Sequence, residues 1–152
     1  MRVWRITSGR FEAGALTGDG AFHYGGRWNS PGRRVIYTAP SVAAAALEVL
    51  AHAGLVLERY VTIELDVPTR LVRQLDMTDA PPDWQRRTQW CRSEGDRWAD
   101  AVGSVGLAVP SAVLGDAIPE RNVILNVAHP DFAKVRALRT IELWLDERLG
   151  PP

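Results

Sequence analysis

Short apolar runs separated by turn-forming residues constrain the fold of this 152-residue chain more than any other sequence feature. The clearest run is Tyr60–Val67, in which every second residue is valine, isoleucine or leucine and the residues between are threonine, glutamate and aspartate. A period of two residues predicts a strand with one buried face. Further strands are predicted at Val3–Ile6, Val35–Thr38, Leu71–Leu75, Leu107–Val109, Val123–Val127 and Val135–Leu145. Many short strands favour a sheet-based domain.

Two segments have helical character. Val42–Ala53 follows Ser41, a suitable N-cap. Asp83–Ala101 is the second, with Gly95 as a point where it could divide, and Gly9–Pro31 is predicted to be mostly loop. Three tryptophans of the second helix are predicted to pack against the fold: Trp84, Trp90 and Trp98. The expected class is α+β, with residues 1–152 as one domain that has a mixed, largely antiparallel sheet and a few helices.

Composition excludes several classes of protein. The 18 basic and 18 acidic side chains balance, which argues against nucleic-acid binding by charge alone. Cys91 is the only cysteine and the three histidines lack metal-ligand spacing, so neither an intrachain disulfide nor a metal site is predicted. The apolar stretch Val42–Leu57 is interrupted by Glu48 and His52, so no membrane span is expected. The N-terminus lacks the apolar region of a signal peptide, which predicts a cytoplasmic protein.

Glu48 is a charged residue inside an otherwise apolar helix. Ala44, Ala45, Ala51 and His52 share its face at helical spacing, and the small alanines leave room above the carboxylate. A glutamate is rarely fully buried unless it is paired. Two interpretations stay open: a glutamate at the solvent edge or in a structural ion pair, and a pocket carboxylate that binds a sugar hydroxyl and stabilises positive charge.

Arg27 lies in the loop Gly25–Asn29. Glycine lets a backbone approach a ligand closely, and a guanidinium suits bidentate contact with phosphate. The alternative is a surface arginine stacked on Trp28.

Tyr37 ends a predicted strand, and Ser111 follows a proline at the end of another. The tyrosine ring could stack on a planar group and the serine could donate a hydrogen bond, although core tyrosines and turn serines are ordinary features. With Arg27 and Glu48, these residues could converge on one cleft that holds a phosphorylated, ribose-containing ligand.

Seven segments occur in an order and at a spacing that resemble a known family: Val3–Ile6, Gly26–Asn29, Val35–Thr38, the alanine-rich helix with Glu48, Val109–Ser111, Asn122–Asn126 and His129–Phe132. The chain resembles the RES-domain family, toxins of bacterial RES–Xre toxin–antitoxin modules. The family takes its name from an arginine, a glutamate and a serine, and these positions match Arg27, Glu48 and Ser111. The segment Asp76–Ser104 matches no feature of the family.

The resemblance implies a fold like that of ADP-ribosyltransferase toxins and an enzyme that uses NAD+ as its substrate, without a metal. Such an enzyme cleaves the nicotinamide–ribose bond and transfers ADP-ribose to a protein, such as a phosphoribosyl pyrophosphate synthetase, or to phosphate or water, and growth stops. The implied catalytic residues are Arg27, Glu48 and Ser111. The implied substrate-binding residues are Arg5, Arg27, Tyr37, Ser111 and Asn122. The implied partner is an Xre-like antitoxin that blocks the active site, with a protein target as a second partner.

Each of these residues has a role in the implied chemistry. Arg27 would hold the pyrophosphate with help from Arg5, and Tyr37 would stack near the nicotinamide. Glu48 would stabilise the oxocarbenium-like ribose, and Ser111 would position the nicotinamide end of the substrate.

Two other functions compete with NAD+ consumption. An RNA-binding or RNA-cleaving toxin could use Arg27, His23 and Tyr37 on phosphates, although the balanced charge counts against it. A non-catalytic binding module could instead present its tryptophans to a partner.

Overall fold

A computed structural model gives the structure of residues 1–53, 59–115 and 117–149. The strands are β1 (Arg2–Ser8), β2 (Val35–Thr38), β3 (Tyr60–Asp66), β4 (Val72–Gln74), β5 (Gly106–Pro110), β6 (Arg121–Asn126) and β7 (Arg136–Leu143). The α-helices are α1 (Asp19–Tyr24), α2 (Val42–Ala53) and α3 (Thr88–Ala101). Short 3-10 helices cover Gly9–Gly14, Thr69–Leu71, Trp84–Arg86, Pro130–Lys134 and Glu147–Leu149.

The strands form two sheets. The first has the order β1-β3-β7 and the second the order β2-β6-β5-β4. Only the β4–β5 pair is parallel among the described strands. The sheets are joined where Trp4 and Ala39 exchange two backbone hydrogen bonds of 2.8 Å each. The predicted α+β class with largely antiparallel pairing is confirmed, although the strands divide between two sheets instead of forming one.

Three clusters of buried apolar residues lie between the packed elements of the fold. The cluster between the sheets contains Val3, Ile36, Ile63, Leu65, Val123 and Leu125. The cluster between the first sheet and α2 contains Ile6, Ala39, Ala45 and Tyr60. The cluster between the second sheet and α3 contains Trp28, Trp84, Trp98, Leu107 and Ile124, with Trp90 packed against it. The predicted packing role of the three helical tryptophans is therefore confirmed, and the sheets lie between α2 and α3.

The helix α2 begins and packs as its sequence predicts. The Ser41 hydroxyl accepts a hydrogen bond from the Ala44 backbone N–H at 3.1 Å, which confirms the N-cap. Ala45 turns into the core and is only 6% exposed. No helix in the described part of the chain is both long and apolar enough to cross a membrane.

The prediction that Tyr60–Val67 buries one face only is wrong. Thr62 and Glu64 are buried as well, at 3% and 8% exposure. The strand β3 is central in its sheet, and Tyr60, at one end of the face that was expected to meet solvent, packs in the cluster that contains Ala45 of α2. The Glu64 carboxylate tolerates burial because Arg2 and Arg139 on the two neighbouring strands bind it at 3.1 and 2.6 Å.

Two predictions that were based on glycine residues are also wrong. The stretch Gly9–Pro31 is not mostly loop, because it contains a 3-10 helix and α1. Gly18 and Gly25 flank α1 with φ angles of 72° and 69°, so these glycines delimit a helix. The helix α3 runs unbroken through Gly95.

Candidate active site

The side chains of Glu48, Ser111 and Asn122 come from separate parts of the chain and are joined by hydrogen bonds. The Ser111 hydroxyl donates a hydrogen bond of 2.6 Å to Glu48 Oε1, and the Asn122 amide donates one of 2.7 Å to the same oxygen. Glu48 lies on α2, Ser111 directly follows β5, and Asn122 is the second residue of β6. Two donors therefore fix one carboxylate oxygen and the plane of the group.

The other oxygen of Glu48 remains available to a ligand. In residues 1–53, 59–115 and 117–149, no hydrogen bond is formed to Glu48 Oε2. The carboxylate lines a depression of about 230 Å³, a volume that includes space open to solvent. The walls of the depression are formed by Pro40, Ala44, Leu47, Ser111, Leu114, Glu120 and Asn122. A ligand in this depression meets a half-buried, oriented carboxylate.

Ser111 both shapes a turn and contacts Glu48. Its hydroxyl oxygen accepts hydrogen bonds from the backbone N–H groups of Val113 and Leu114 at 3.1 and 3.2 Å, while the hydroxyl donates to Glu48. Ser111 is 5% exposed, so little water can replace these bonds. The turn fixes the direction in which the hydroxyl donates.

Ser111→Ala is expected to lower the free energy of unfolding by about 1–2 kcal/mol, because two partly buried backbone N–H groups lose their acceptor. Urea unfolding measures this, with Ser93→Ala as the control, since exposed Ser93 bonds to a carbonyl of its own helix. A Ser111→Ala protein as stable as the control would contradict the turn's dependence on the hydroxyl.

Arg27 is anchored by the segment that precedes and begins α3. Its Nη1 donates to the Gln85 carbonyl at 2.8 Å and to the Thr88 hydroxyl at 3.0 Å. Because both hydrogens of Nη1 are used, a fork for an oxyanion has to come from Nε and Nη2. Arg27 also lies near Cys91, where burial raises the pKa of the thiol and the guanidinium partly opposes that rise.

Trp28 does not serve as a platform for Arg27. Its ring is 3% exposed and packs on Trp84 and Trp90, with ring centroids 5.6 and 6.2 Å apart. The anchoring of Arg27 is therefore polar, and its guanidinium is fixed by a carbonyl and a hydroxyl.

Tyr37 holds the Arg27 loop against β2. Its hydroxyl donates to Asn29 Oδ1 at 2.7 Å and accepts from the Trp28 backbone N–H at 2.9 Å. Burial raises the pKa of Tyr37, so the hydroxyl stays protonated and continues to donate. A Cβ atom on Gly26 would lie 2.4 Å from the Tyr37 hydroxyl oxygen, so the loop can only pass over the ring with glycine at this position.

Arg5 reaches Tyr37 from the other sheet. Its Nη1 donates to the Tyr37 carbonyl at 3.2 Å, and burial lowers the pKa of Arg5. In the described part of the chain, the buried Arg5 Nε has no hydrogen-bond partner. An orphaned buried donor on a charged group is costly, and an anionic ligand would satisfy it.

The Arg27 group and the Glu48 group are neighbours without direct bonds. Tyr37 is paired in register with Ile124, two residues along β6 from Asn122. A diagonal pair of this kind lies about 7–8 Å apart. Among the described residues, no hydrogen bond or ion pair joins Arg27 to Glu48. The structure thus brings Glu48, Ser111 and Asn122 into contact, and Arg5, Tyr37 and the Arg27 loop into contact, across adjacent strands.

Several residues that position these groups escaped the sequence analysis. Asn29 is fully buried and ties the loop to α1 through a 3.0 Å bond to the Ala21 carbonyl. Thr88 and Arg92 lie in the segment that carried no recognised motif. Their four-residue spacing on one helix was a signal in the sequence. The part of the chain that the structure describes contains no group of three or more His, Cys, Asp or Glu side chains able to hold a metal ion.

Comparisons with known proteins agree on one family. The RES domain family model matches residues 2–146. The chain is 37% identical to a protein named "Toxin Res" from Photorhabdus laumondii subsp. laumondii, over 98% of this chain and 97% of that protein. It is 36% identical to a "Prs ADP-ribosylating toxin" from Sphingobium sp., over 93% of this chain and 91% of that protein.

A solved structure shares the fold. The match is to the M. tuberculosis MbcT-MbcA toxin-antitoxin complex, with a TM-score of 0.77 and 21% identity. It covers 93% of this chain and 83% of the matched chain. At that identity the likeness shows a common fold only.

Proposed function

The chain belongs to the RES domain family, and from this premise we propose that it is the toxin of a toxin–antitoxin module and an enzyme that consumes NAD+. The observation that carries the proposal is the Glu48 carboxylate, which lines a depression and which Ser111 and Asn122 hold by one oxygen, while the other oxygen has no hydrogen-bond partner among the described residues. Arg27, Glu48 and Ser111 are the residues that match the family's name.

The proposed reaction is cleavage of the bond between nicotinamide and ribose. The bonding electron pair leaves with the nicotinamide, which departs neutral, and positive charge develops on the ribose. A carboxylate fixed before the reaction stabilises that charge without reorganising, and its free oxygen can accept a hydrogen bond from a ribose hydroxyl. Glu48 Oε2 fits this role, because Ser111 and Asn122 occupy only Oε1.

The remaining groups suit the rest of the dinucleotide. The Arg27 fork of Nε and Nη2 is proposed to bind the pyrophosphate, with the unpartnered Arg5 Nε as a second donor. Glu48 and Ser111 line the depression, so the ribose and nicotinamide end is proposed to lie there, with the rest of NAD+ extending toward Tyr37 and the arginines.

The proposed acceptor of ADP-ribose is a protein side chain. This rests on the relative named as a Prs ADP-ribosylating toxin, which is 36% identical over most of both chains. We propose a phosphoribosyl pyrophosphate synthetase as the first target to test. Mass spectrometry of products from NAD+ with water, with phosphate and with that synthetase separates the three acceptors. A mass increase of the synthetase by one ADP-ribose supports the proposal, and free ADP-ribose or its phosphate as the sole product contradicts it.

An Xre-like antitoxin is the proposed partner, acting by covering the depression at Glu48. The chain expressed alone is expected to stop growth, and growth should recover when the antitoxin is co-expressed. Occlusion predicts that the purified complex does not bind NAD+ whereas the free chain does, which calorimetry measures. A complex that binds NAD+ as tightly as the free chain would show that neutralisation does not act by occlusion.

A further inference from the structure

The helix α3 carries a polar stripe directed at the segment that holds Arg27. Thr88, Arg92, Asp96 and Asp100 recur every four residues, a spacing that keeps side chains on one face of a helix. Each of them contacts a residue between positions 26 and 33. These contacts give a structural role to a part of the sequence that the family resemblance left unassigned.

The first two helix residues contact the loop at positions 26 and 27, and the next two contact it further along, at Ser30 and Arg33. Thr88 Oγ1 accepts from Arg27 Nη1 at 3.0 Å. Arg92 Nε donates to the Gly26 carbonyl at 2.9 Å, and Asp96 Oδ1 accepts from the Ser30 backbone N–H at 2.9 Å. These three bonds are partly buried.

The charge and burial of these contacts indicate how strongly each one holds the loop. Each of the three bonds involves a charged donor or acceptor, and such bonds are stronger than those between neutral groups. The Arg33–Asp100 pair is more exposed but bidentate, and Arg33 also lies 3.3 Å from Asp96. The partly buried contacts of the loop are those at Gly26, Arg27 and Ser30.

At Gly95 the backbone of α3 lies directly against the backbone of the loop that carries Arg27. A Cβ atom on Gly95 would lie 1.7 Å from the Trp28 carbonyl oxygen, so α3 rests directly on the loop backbone. On the opposite side, Tyr37 holds the same loop through Trp28 and Asn29. The loop that presents Arg27 is thus held between β2 and α3.

We propose that α3 is a positioning element for substrate binding, in which Thr88 orients the Arg27 guanidinium and Arg92 and Asp96 fix the loop backbone. The inference rests on the proposed function, because it assigns α3 to the binding of NAD+ by Arg27. An arginine oriented in advance loses less rotamer freedom when it binds an oxyanion. The Arg27–pyrophosphate contact is the same in the ground and transition states, so α3 governs KM more than kcat.

Thr88→Val tests the role of the hydroxyl at nearly constant side-chain volume. The KM for NAD+ is expected to rise about tenfold, the cost of one hydrogen bond to a charged group, while kcat stays within about twofold. Thr88→Ser restores the hydroxyl and should restore KM. Ser93→Ala is the matched control, since exposed Ser93 bonds to the Gln89 carbonyl of the same helix. An unchanged KM in Thr88→Val, with active wild-type protein, overturns the inference.

A ligand-free measurement separates failure of this inference from failure of the proposed function. The heteronuclear NOE of the Arg27 Nε–H group, assigned by its loss in Arg27→Lys, reports side-chain motion faster than nanoseconds. A high value in the wild type and Thr88→Ser and a low value in Thr88→Val support positioning. Equal values in all three overturn it. If the wild type releases no nicotinamide, the proposed function fails and this NMR comparison alone decides whether Thr88 orients Arg27.

Discussion

Glu48→Gln is expected to lower the kcat for nicotinamide release from NAD+ about a hundred- to a thousand-fold, the loss typical of removing one transition-state electrostatic contact. Glutamine keeps the shape of the side chain, and its carbonyl oxygen can still accept the hydrogen bonds from Ser111 and Asn122. What is lost is the negative charge of a side chain that lines the depression. Initial rates of nicotinamide release, measured by chromatography, give the change in kcat.

The matched control for this variant is Glu94→Gln. Glu94 is also a helical glutamate, but it pairs with Arg97 at the surface of α3. Its neutralisation should leave kcat unchanged, because a surface pair of this kind contributes little. A folded Glu48→Gln protein with the turnover of the wild type would remove Glu48 from the mechanism.

Gly95→Ala is expected to destabilise the protein by about 3 kcal/mol, the upper end of the range for overpacked interiors. The added Cβ would lie 1.7 Å from the Trp28 carbonyl oxygen, and a backbone atom cannot move aside as a flexible side chain can. For a chain of this size the loss corresponds to a drop in Tm of roughly 6–12 °C. The displaced loop carries Arg27, so the KM for NAD+ should rise as well.

The control for Gly95→Ala is Gly20→Ala in α1. A Cβ atom on Gly20 would meet no heavy atom of the described residues within 4 Å, apart from its chain neighbours and the backbone of its own helix. Alanine in a helix should therefore stabilise the protein by about 0.4–1 kcal/mol, through fewer unfolded conformations. Urea unfolding of both variants compares the two glycines, and a Gly95→Ala protein as stable as the wild type would show that α3 does not rest on the loop.

Local signals in the sequence predicted the elements around Glu48 closely. Val35–Thr38 and Val42–Ala53 have the bounds that the apolar runs and Ser41 predict. The structure of both elements is set by neighbours in the chain: β-branched residues in the strand, and alanines with a serine cap in the helix.

Long-range contacts explain what the sequence could not predict. Burial of Glu64 depends on Arg2 and Arg139, which are 62 and 75 residues away. The pattern selected Glu48 as unusual, but its donors Ser111 and Asn122 are 63 and 74 residues distant. The anchoring of Arg27 by Gln85 and Thr88 likewise spans 58 and 61 residues. No local periodicity contains such pairings, and the resemblance to the family supplied candidate residues but none of the bonds between them.

The polar stripe of α3 could be predicted from the sequence, but its contacts could not. The four-residue recurrence of Thr88, Arg92, Asp96 and Asp100 is visible in the sequence and predicts one polar helix face. Polar faces usually meet solvent, so the pattern alone favours a surface role. Only the fold shows that most of this face binds the loop that presents Arg27.

The most direct test of NAD+ consumption is the amount of nicotinamide released from NAD+ by the purified chain, freed of any antitoxin. Release of nicotinamide is common to transfer to protein, phosphate and water, so the result does not depend on the acceptor once all three are supplied. The proposed function predicts that the wild type releases one nicotinamide for each NAD+ lost. It also predicts that Glu48→Gln releases nicotinamide at no more than about one hundredth of the wild-type rate. Intact NAD+ after incubation of the folded wild-type chain with all three acceptors would contradict it.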